Sequence, residues 1–190
     1  MIINPSEYIE RRLKIQLDEQ VKDLLKTEST IVTFNKGDHP VREGDKMDSF
    51  YFLIYGLVRG YFIDKEGNDV TKCFSSENQF FSSECFRTKE NSSLFVECLE
   101  ESKCIKIPYN LVRKLEELTP AINKLYWDEI ARLDERVKDL FLMNAEERYI
   151  NFCREYPNLQ NRVPLKYIAS YIGIQAGSMS RIRKKLKNRL

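Results

Sequence analysis

The sequence predicts an α+β protein that combines an antiparallel β-roll with flanking helices, a long helix and a small all-α helix-turn-helix domain without a full wing. Three observations lead to this prediction: short aromatic and β-branched runs separated by glycine turns, a heptad-like apolar repeat, and two short amphipathic helices near the C-terminus. We expect residues 1–119 to form the roll with its N-terminal helix, residues 120–144 the long helix, and residues 145–190 the C-terminal domain.

The N-terminal part of the chain shows first a helical periodicity and then a series of short strand-like runs. Residues 6–26 are expected to form one helix that Ser6 caps and that docks on the next domain, because Ile9, Leu13, Leu17 and Val21 recur at helical intervals. Five of the seven glycines then fall between Ser29 and Pro108, where they separate runs such as STIVTF, SFYFLIYG and KCIKIPY. Short strands with regular turn signals are typical of an antiparallel barrel or roll.

Two short helices with a tight turn are predicted from Pro164 to Leu190. Pro164 suits the first helical position, and Gly173 stands where a left-handed turn residue is needed. The apolar stripes are Leu165, Ile168, Ala169 and Ile172 on the first helix, and Met179, Ile182, Leu186 and Leu190 on the second. This spacing matches the helix-turn-helix motif, whose second helix lies in the major groove of DNA.

The distribution of charge supports a polyanionic partner. Residues 156–190 contain eight Lys or Arg and no Asp or Glu. The rest of the chain therefore contains 23 of the 31 basic residues and all 29 acidic residues. A net charge of +2 therefore hides a basic tail on an acidic body, which favours binding to the phosphates of DNA. The alternative is a solvated helix end, because basic residues also favour helix C-termini.

Candidate DNA contacts follow from the faces of the second helix. Arg181 is the best candidate for reading a base, since arginine paired with guanine is the commonest specific contact. Lys166 on the first helix is expected to touch the DNA backbone. The complete set of predicted contacts is Lys166, Gln175, Ser178, Ser180, Arg181, Arg183, Lys184 and Lys185.

The long helix after Pro120 carries apolar residues at alternating steps of four and three, which is the seam of a two-stranded coiled coil. The seam positions are Tyr126, Ile130, Leu133, Val137, Leu140 and Asn144. A homodimer is the prediction, in which a buried Asn144 would set the register. The alternative is a helix that packs only on its own roll.

The order of these motifs resembles the Crp/Fnr transcription regulators. The residues that carry the resemblance are F-x-K-G-D from Phe34, R-E-G-D-x-x-D from Arg42, Y-F-L-I-Y-G-L-V-R-G-Y from Tyr51 and D-K-E-G-N from Asp64. The resemblance implies a cyclic-nucleotide-binding-like roll (a double-stranded β-helix), a dimerisation helix and a helix-turn-helix domain. No stretch after the second helix corresponds to the family's β-hairpin wing, so DNA contact is expected to rely on the helices.

The resemblance also locates a degenerate ligand pocket. The family holds ribose and cyclic phosphate with a Gly-Glu pair and an Arg-Ser/Thr-Ala run, which correspond here to Ser82-Ser83 and to Asn91-Ser92-Ser93. The phosphate-pairing arginine is thus Asn91, so cyclic AMP or GMP is not expected to bind. Glu84 lies one place late for the Gly-Glu pair and would complete the pocket only if the loop shifts. A pocket for another effector would have Phe80, Phe81 and Cys85 near its wall, although the aromatic residues here are more simply explained as core.

The favoured hypothesis is a dimeric, sequence-specific regulator that binds double-stranded DNA, with RNA polymerase and an unidentified small-molecule effector as further candidate partners. The alternative is a cyclic-nucleotide or other small-ligand signalling module whose basic tail contacts proteins. No catalytic constellation is recognisable, so an enzyme is not expected. Five cysteines without a C-x-x-C pair predict reduced thiols and no metal site or cofactor, and the charged N-terminus predicts a cytoplasmic protein without membrane contact.

Overall fold

The computed structural model describes residues 4–83, 90–118 and 120–187. The chain divides into two compact units. The first comprises Met1–Phe62 and Cys73–Trp127, and the second comprises Ile63–Lys72 and Asp128–Leu190. Among the described residues, no helix combines the length and the apolar character needed to cross a bilayer.

The N-terminal segment forms two helices, so the prediction of one helix over residues 6–26 is wrong. Helix α1 spans Pro5–Leu13 and helix α2 spans Glu19–Glu28. Asn4 rather than Ser6 caps α1, because its side chain accepts from the Ser6 N–H at 3.2 Å. Lys14 adopts a left-handed conformation (φ 55°) that ends α1, and Asp18 accepts from the Val21 N–H at 2.8 Å to begin α2.

Seven described strands build two antiparallel sheets, as the sequence predicts. The strands are β1 Thr30–Phe34, β2 Ser49–Tyr55, β3 Val58–Ile63, β4 Asp69–Ser75, β5 Phe80–Phe81, β6 Phe95–Cys98 and β7 Ser102–Pro108. The four-stranded sheet has the order β1-β7-β2-β5, and the three-stranded sheet has the order β4-β3-β6. Neighbours such as β1 and β7 pair in register from Thr30↔Lys106 to Phe34↔Ser102.

Strand β2 is buried on both faces, which gives the first unit two cores. Tyr51 and Leu53 point into one cluster, with Val96 and Cys104. Phe52 points the other way, into a cluster with Ile105, the helix residues Ile9, Val21 and Leu25, and Leu17 of the connection between the two N-terminal helices. Alternation of side chains along a strand explains this division. The predicted docking face of the N-terminal helices is therefore confirmed.

The C-terminal half is helical. The helices are α3 Tyr109–Leu118, α4 Pro120–Leu142, α5 Ala145–Glu155, α6 Leu165–Tyr171 and α7 Ala176–Lys187. Two predicted positions need correction. Pro164 is the N-cap of α6 rather than its first residue, and Asn144 lies beyond α4, where it caps α5. The predicted α+β architecture is otherwise confirmed.

The described cysteines are free thiols. Cys98 and Cys104 are buried, whereas Cys73 and Cys153 are half-buried and Cys85 lies outside the described residues. Burial raises the pKa of Cys98 to about 11 and that of Cys104 to about 12. These two thiols therefore stay protonated at neutral pH.

Gly56 provides a test of the turn between β2 and β3. An alanine there would combine a left-handed φ of 110° with a Cβ atom 2.7 Å from the Glu101 carbonyl oxygen. Gly67 has a similar φ of 84° but open space around it. We expect Gly67→Ala to cost about 1–2 kcal/mol from backbone strain and Gly56→Ala to cost roughly 1–3 kcal/mol more from overlap. Urea unfolding of both variants measures the difference, and equal losses would contradict the close approach.

Candidate functional site

The turn between α6 and α7 is built from local backbone hydrogen bonds. Gly173 adopts the predicted left-handed conformation with φ 73°. Its N–H donates to the Ser170 carbonyl at 3.2 Å, and the Ile174 N–H donates to the Ala169 carbonyl at 2.9 Å. This pair of bonds is the Schellman motif, which ends a helix by satisfying two of its last carbonyl groups. The sequence predicts this turn correctly.

The apolar faces of α6 and α7 meet below that turn. Ile168, Ala169 and Met179 are fully buried, and Ile172 is nearly so. Further along α7 the burial weakens, since Ile182 and Leu186 are half-buried. The predicted inward face of α7 is therefore fully buried only at Met179, in the first part of the helix. Leu190 lies outside the described residues.

The opposite face of α7 presents the predicted DNA contacts to solvent. The exposed members are Gln175, Ser180, Arg181, Lys184 and Lys185, and Lys166 on α6 is also exposed. Ser178 is half-buried and accepts a hydrogen bond from the Arg181 guanidinium at 3.2 Å. This bond links the Arg181 and Ser178 side chains on the same side of α7.

Two basic residues of α7 interact within the unit. The Lys185 ammonium forms an ion pair with the Glu146 carboxylate at the start of α5. Arg183 is half-buried and opposes part of the rise in the pKa of Tyr149, which burial brings to about 12. Sequence reasoning missed Glu146, because it precedes Lys185 by 39 residues and no local pattern links them.

The predicted dimer seam is only partly available. Tyr126 packs against a core cluster of the first unit, and a Cβ atom on Gly173 would lie 3.3 Å from Leu140. Leu133 is half-buried, whereas Ile130 is 54% exposed and Val137 is 50% exposed. Two large apolar residues next to the seam are also exposed, Trp127 at 70% and Phe141 at 83%. Sequence reasoning missed both of them.

Asn144 does not continue this face. Its side chain accepts from the N–H groups of Glu146 and Glu147 at 3.0 and 3.1 Å. The Glu147 carboxylate in turn accepts from the Asn144 N–H at 2.8 Å, which completes a capping box. The prediction that Asn144 sets the register of a seam fails because α4 has already ended at Leu142.

Two of the described ligand-pocket candidates, Ser82 and Ser92, make hydrogen bonds within the fold. Ser82 donates to the Ser49 carbonyl at 3.2 Å and shares a 2.6 Å hydrogen bond with the Tyr109 hydroxyl. The Ser92 hydroxyl is buried and donates to the Leu94 carbonyl at 2.9 Å. Ser83 is buried, whereas Asn91 and Ser93 are exposed.

Phe81 and Glu84 are two further pocket candidates. Phe81 is buried and stacks on Tyr51 with ring centroids 5.0 Å apart. This packing agrees with the interpretation of the aromatic residues as core. Glu84 lies outside the described residues.

The chain is similar in sequence to a known domain family and to bacterial regulatory proteins. Residues 31–117 match the family model of the cyclic nucleotide-binding domain. Electron transport regulator A of Shewanella oneidensis is 26% identical over 148 residues, which are 76% of this chain and 56% of that protein. The chain thus spans little more than half the length of this relative.

Solved structures of other proteins share the fold. FixK2 from Bradyrhizobium japonicum has a TM-score of 0.73 at 17% identity, over 85% of each chain. The c-di-GMP responsive global regulator CLP of Xanthomonas campestris has a TM-score of 0.73 at 13% identity, over 90% of this chain and 93% of that one. At such identities the likeness concerns the fold alone.

Proposed function

We propose that this chain, whose motifs resemble those of the Crp/Fnr regulators and whose residues 31–117 match the cyclic nucleotide-binding domain, is a dimeric, sequence-specific DNA-binding regulator of transcription. The observation that carries the proposal is the exposed basic face of α7, the second helix of a helix-turn-helix whose turn has the expected geometry. Its relatives support regulation in general terms, since the Shewanella protein is a regulator of electron transport.

The side chains of α7 divide into two roles in this proposal. Arg181, hydrogen-bonded to Ser178, reads a base edge in the major groove. Ser180 and Lys184 bind phosphates, as does Lys185 after it exchanges the Glu146 carboxylate for DNA. Gln175 and Lys166 contact the backbone near the start of each helix.

Selection from a random duplex pool, followed by affinity measurements over a salt series, tests the proposal. We expect enrichment of two related half-sites and an affinity that falls steeply with salt, by a slope of about 0.9 for each phosphate bound. Binding without enrichment, or no binding, would contradict sequence-specific regulation by this chain.

Substitution of Arg181 tests the base-reading role. Arg181→Ala should cost about 1–3 kcal/mol on the selected site and relax the preference at one base position. Lys36→Ala removes the same charge from an exposed turn of the roll and serves as the control, with unchanged affinity. If Arg181→Ala weakens binding equally on all sequences, then Arg181 is a phosphate contact.

The proposed dimer uses the exposed apolar face of α4. Ile130 and Val137 are its centre, Leu133 contributes its accessible part, and Trp127 and Phe141 widen it. Twofold pairing of α4 would also present two copies of α7 to successive major grooves. Tyr126 contributes less than the heptad pattern predicts, because it packs against a core cluster of its own chain. Leu140 is 41% exposed and extends the face.

Ile130→Glu should dissociate the dimer, because a carboxylate would be buried without a partner at the interface. Since Ile130 is 54% exposed in the single chain, the fold should tolerate the change. We expect the dimer Kd to rise by roughly a hundredfold or more, equivalent to about 2.8 kcal/mol. Sedimentation equilibrium measures it. Ala131→Glu adds the same charge at the neighbouring exposed position, and equal effects of the two changes would place the interface elsewhere.

A second candidate function is a small-ligand signalling module whose basic tail contacts proteins. The match of residues 31–117 to the cyclic nucleotide-binding domain favours this second function. Against a cyclic nucleotide stand the exposed Asn91 at the arginine position and the engagement of Ser82 with Tyr109. RNA polymerase and an unidentified effector stay predictions.

Calorimetry with cyclic AMP distinguishes these candidates. We expect no heat of binding, because no guanidinium at position 91 pairs with the cyclic phosphate. Micromolar affinity would contradict our assignment of Asn91. Such binding together with no salt-dependent affinity for DNA would favour the signalling module.

A further inference from the structure

Helix α6 ends with all four of its last carbonyl groups satisfied. The Schellman motif accounts for Ala169 and Ser170. The Tyr171 carbonyl accepts from Arg136 of α4 at 3.0 Å, and the Ile172 carbonyl accepts from Arg148 of α5 at 2.7 Å. Terminal helix carbonyls lack intrahelical partners, and cationic side chains are favourable donors there. Two arginines from two other helices thus hold the end of α6.

Arg136 makes a second set of contacts in the same unit. Its guanidinium donates to the carbonyl groups of Thr71, at 3.0 Å, and Lys72, and lies 4.1 Å from the centroid of the Tyr171 ring. Ser170 reinforces the connection to this hairpin segment, since its hydroxyl accepts from the Thr71 N–H at 2.8 Å and donates to the Asp69 carbonyl at 3.2 Å.

A planar guanidinium suits this junction because its donors project in fixed directions toward several acceptors. Arg136 lies one position before Val137, which belongs to the exposed apolar face of α4. The residue that holds the end of α6 is therefore adjacent to the face through which we propose that two chains pair. Its neighbour Leu140 approaches Gly173 in the turn itself.

We propose that Arg136 is a positioning residue: by joining α4, the 63–72 hairpin and the end of α6, it sets the direction of α7 relative to the dimer helix. In a dimer this direction determines the separation of the two recognition helices, and so the spacing of half-sites that the protein prefers. The inference rests on the proposed DNA-binding function for its consequence, although the junction itself is testable without DNA.

Amide hydrogen exchange of the full-length protein tests the junction. The Thr71 amide should exchange at least about tenfold faster in Arg136→Gln and in Ser170→Ala than in the wild type, because its acceptor is displaced or removed. Lys138→Gln removes an equal charge two residues further along α4 from an exposed position and should leave the rate unchanged. Unchanged protection in Arg136→Gln would overturn the proposal.

Binding to duplexes with two selected half-sites tests the positioning role. Centre-to-centre separations of about 10 and about 15 base pairs place the half-sites on the same and on opposite faces of DNA. We expect the wild type and Lys138→Gln to prefer one separation by about tenfold or more, and Arg136→Gln to lose that preference while its affinity for a single half-site stays within about twofold. Arg136→Lys should restore little, since an ammonium lacks the planar fork.

The outcomes separate this inference from the proposed function. If the wild type selects no half-site, sequence-specific DNA binding fails, and the exchange rate of Thr71 alone decides whether the junction exists. If Arg136→Gln accelerates exchange yet keeps the wild-type spacing preference, Arg136 only stabilises the fold and the positioning role is overturned.

Discussion

The need of buried backbone carbonyl groups for donors is the constraint on which the helical unit depends. A buried carbonyl without a partner costs about 1–3 kcal/mol, and the end of α6 has four to satisfy. Glycine at position 173 satisfies two by permitting a left-handed turn, while Arg136 and Arg148 supply the other donors. The same bonds that stabilise α6 therefore also define where α7 begins.

The roll obeys a different constraint, which is that β2 must be covered on both faces. Its alternating side chains enter two cores, and the N-terminal helices cover one of them. The same internal packing extends to residues of the degenerate ligand pocket predicted from the sequence. Phe81 stacks on Tyr51, and Ser82 is hydrogen bonded to Tyr109 at the start of α3. Here the fold persists with these side chains engaged in contacts of their own.

Charge separates the functional roles within the helical unit. The exposed cations of α7 face solvent without an acidic residue in the same part of the sequence, which suits binding to phosphates. Lys185 differs from the others, because Glu146 already neutralises it. In the proposed complex, DNA displaces this carboxylate to recruit Lys185, so the ion pair subtracts from the affinity that the count of basic residues suggests.

Features that repeat at short range could be predicted from local patterns: the strands between glycine turns, the turn at Gly173, the heptad pattern of α4 and the basic face of α7. Tertiary structure decided the features that depend on distant partners. The packing of Tyr126 against the core of the first unit, the approach of Leu140 to Gly173 and the pairing of Lys185 with Glu146 have no local signal. Periodicity reveals which face of a helix is apolar, but only packing determines what covers that face, because contacts form between residues far apart in the chain.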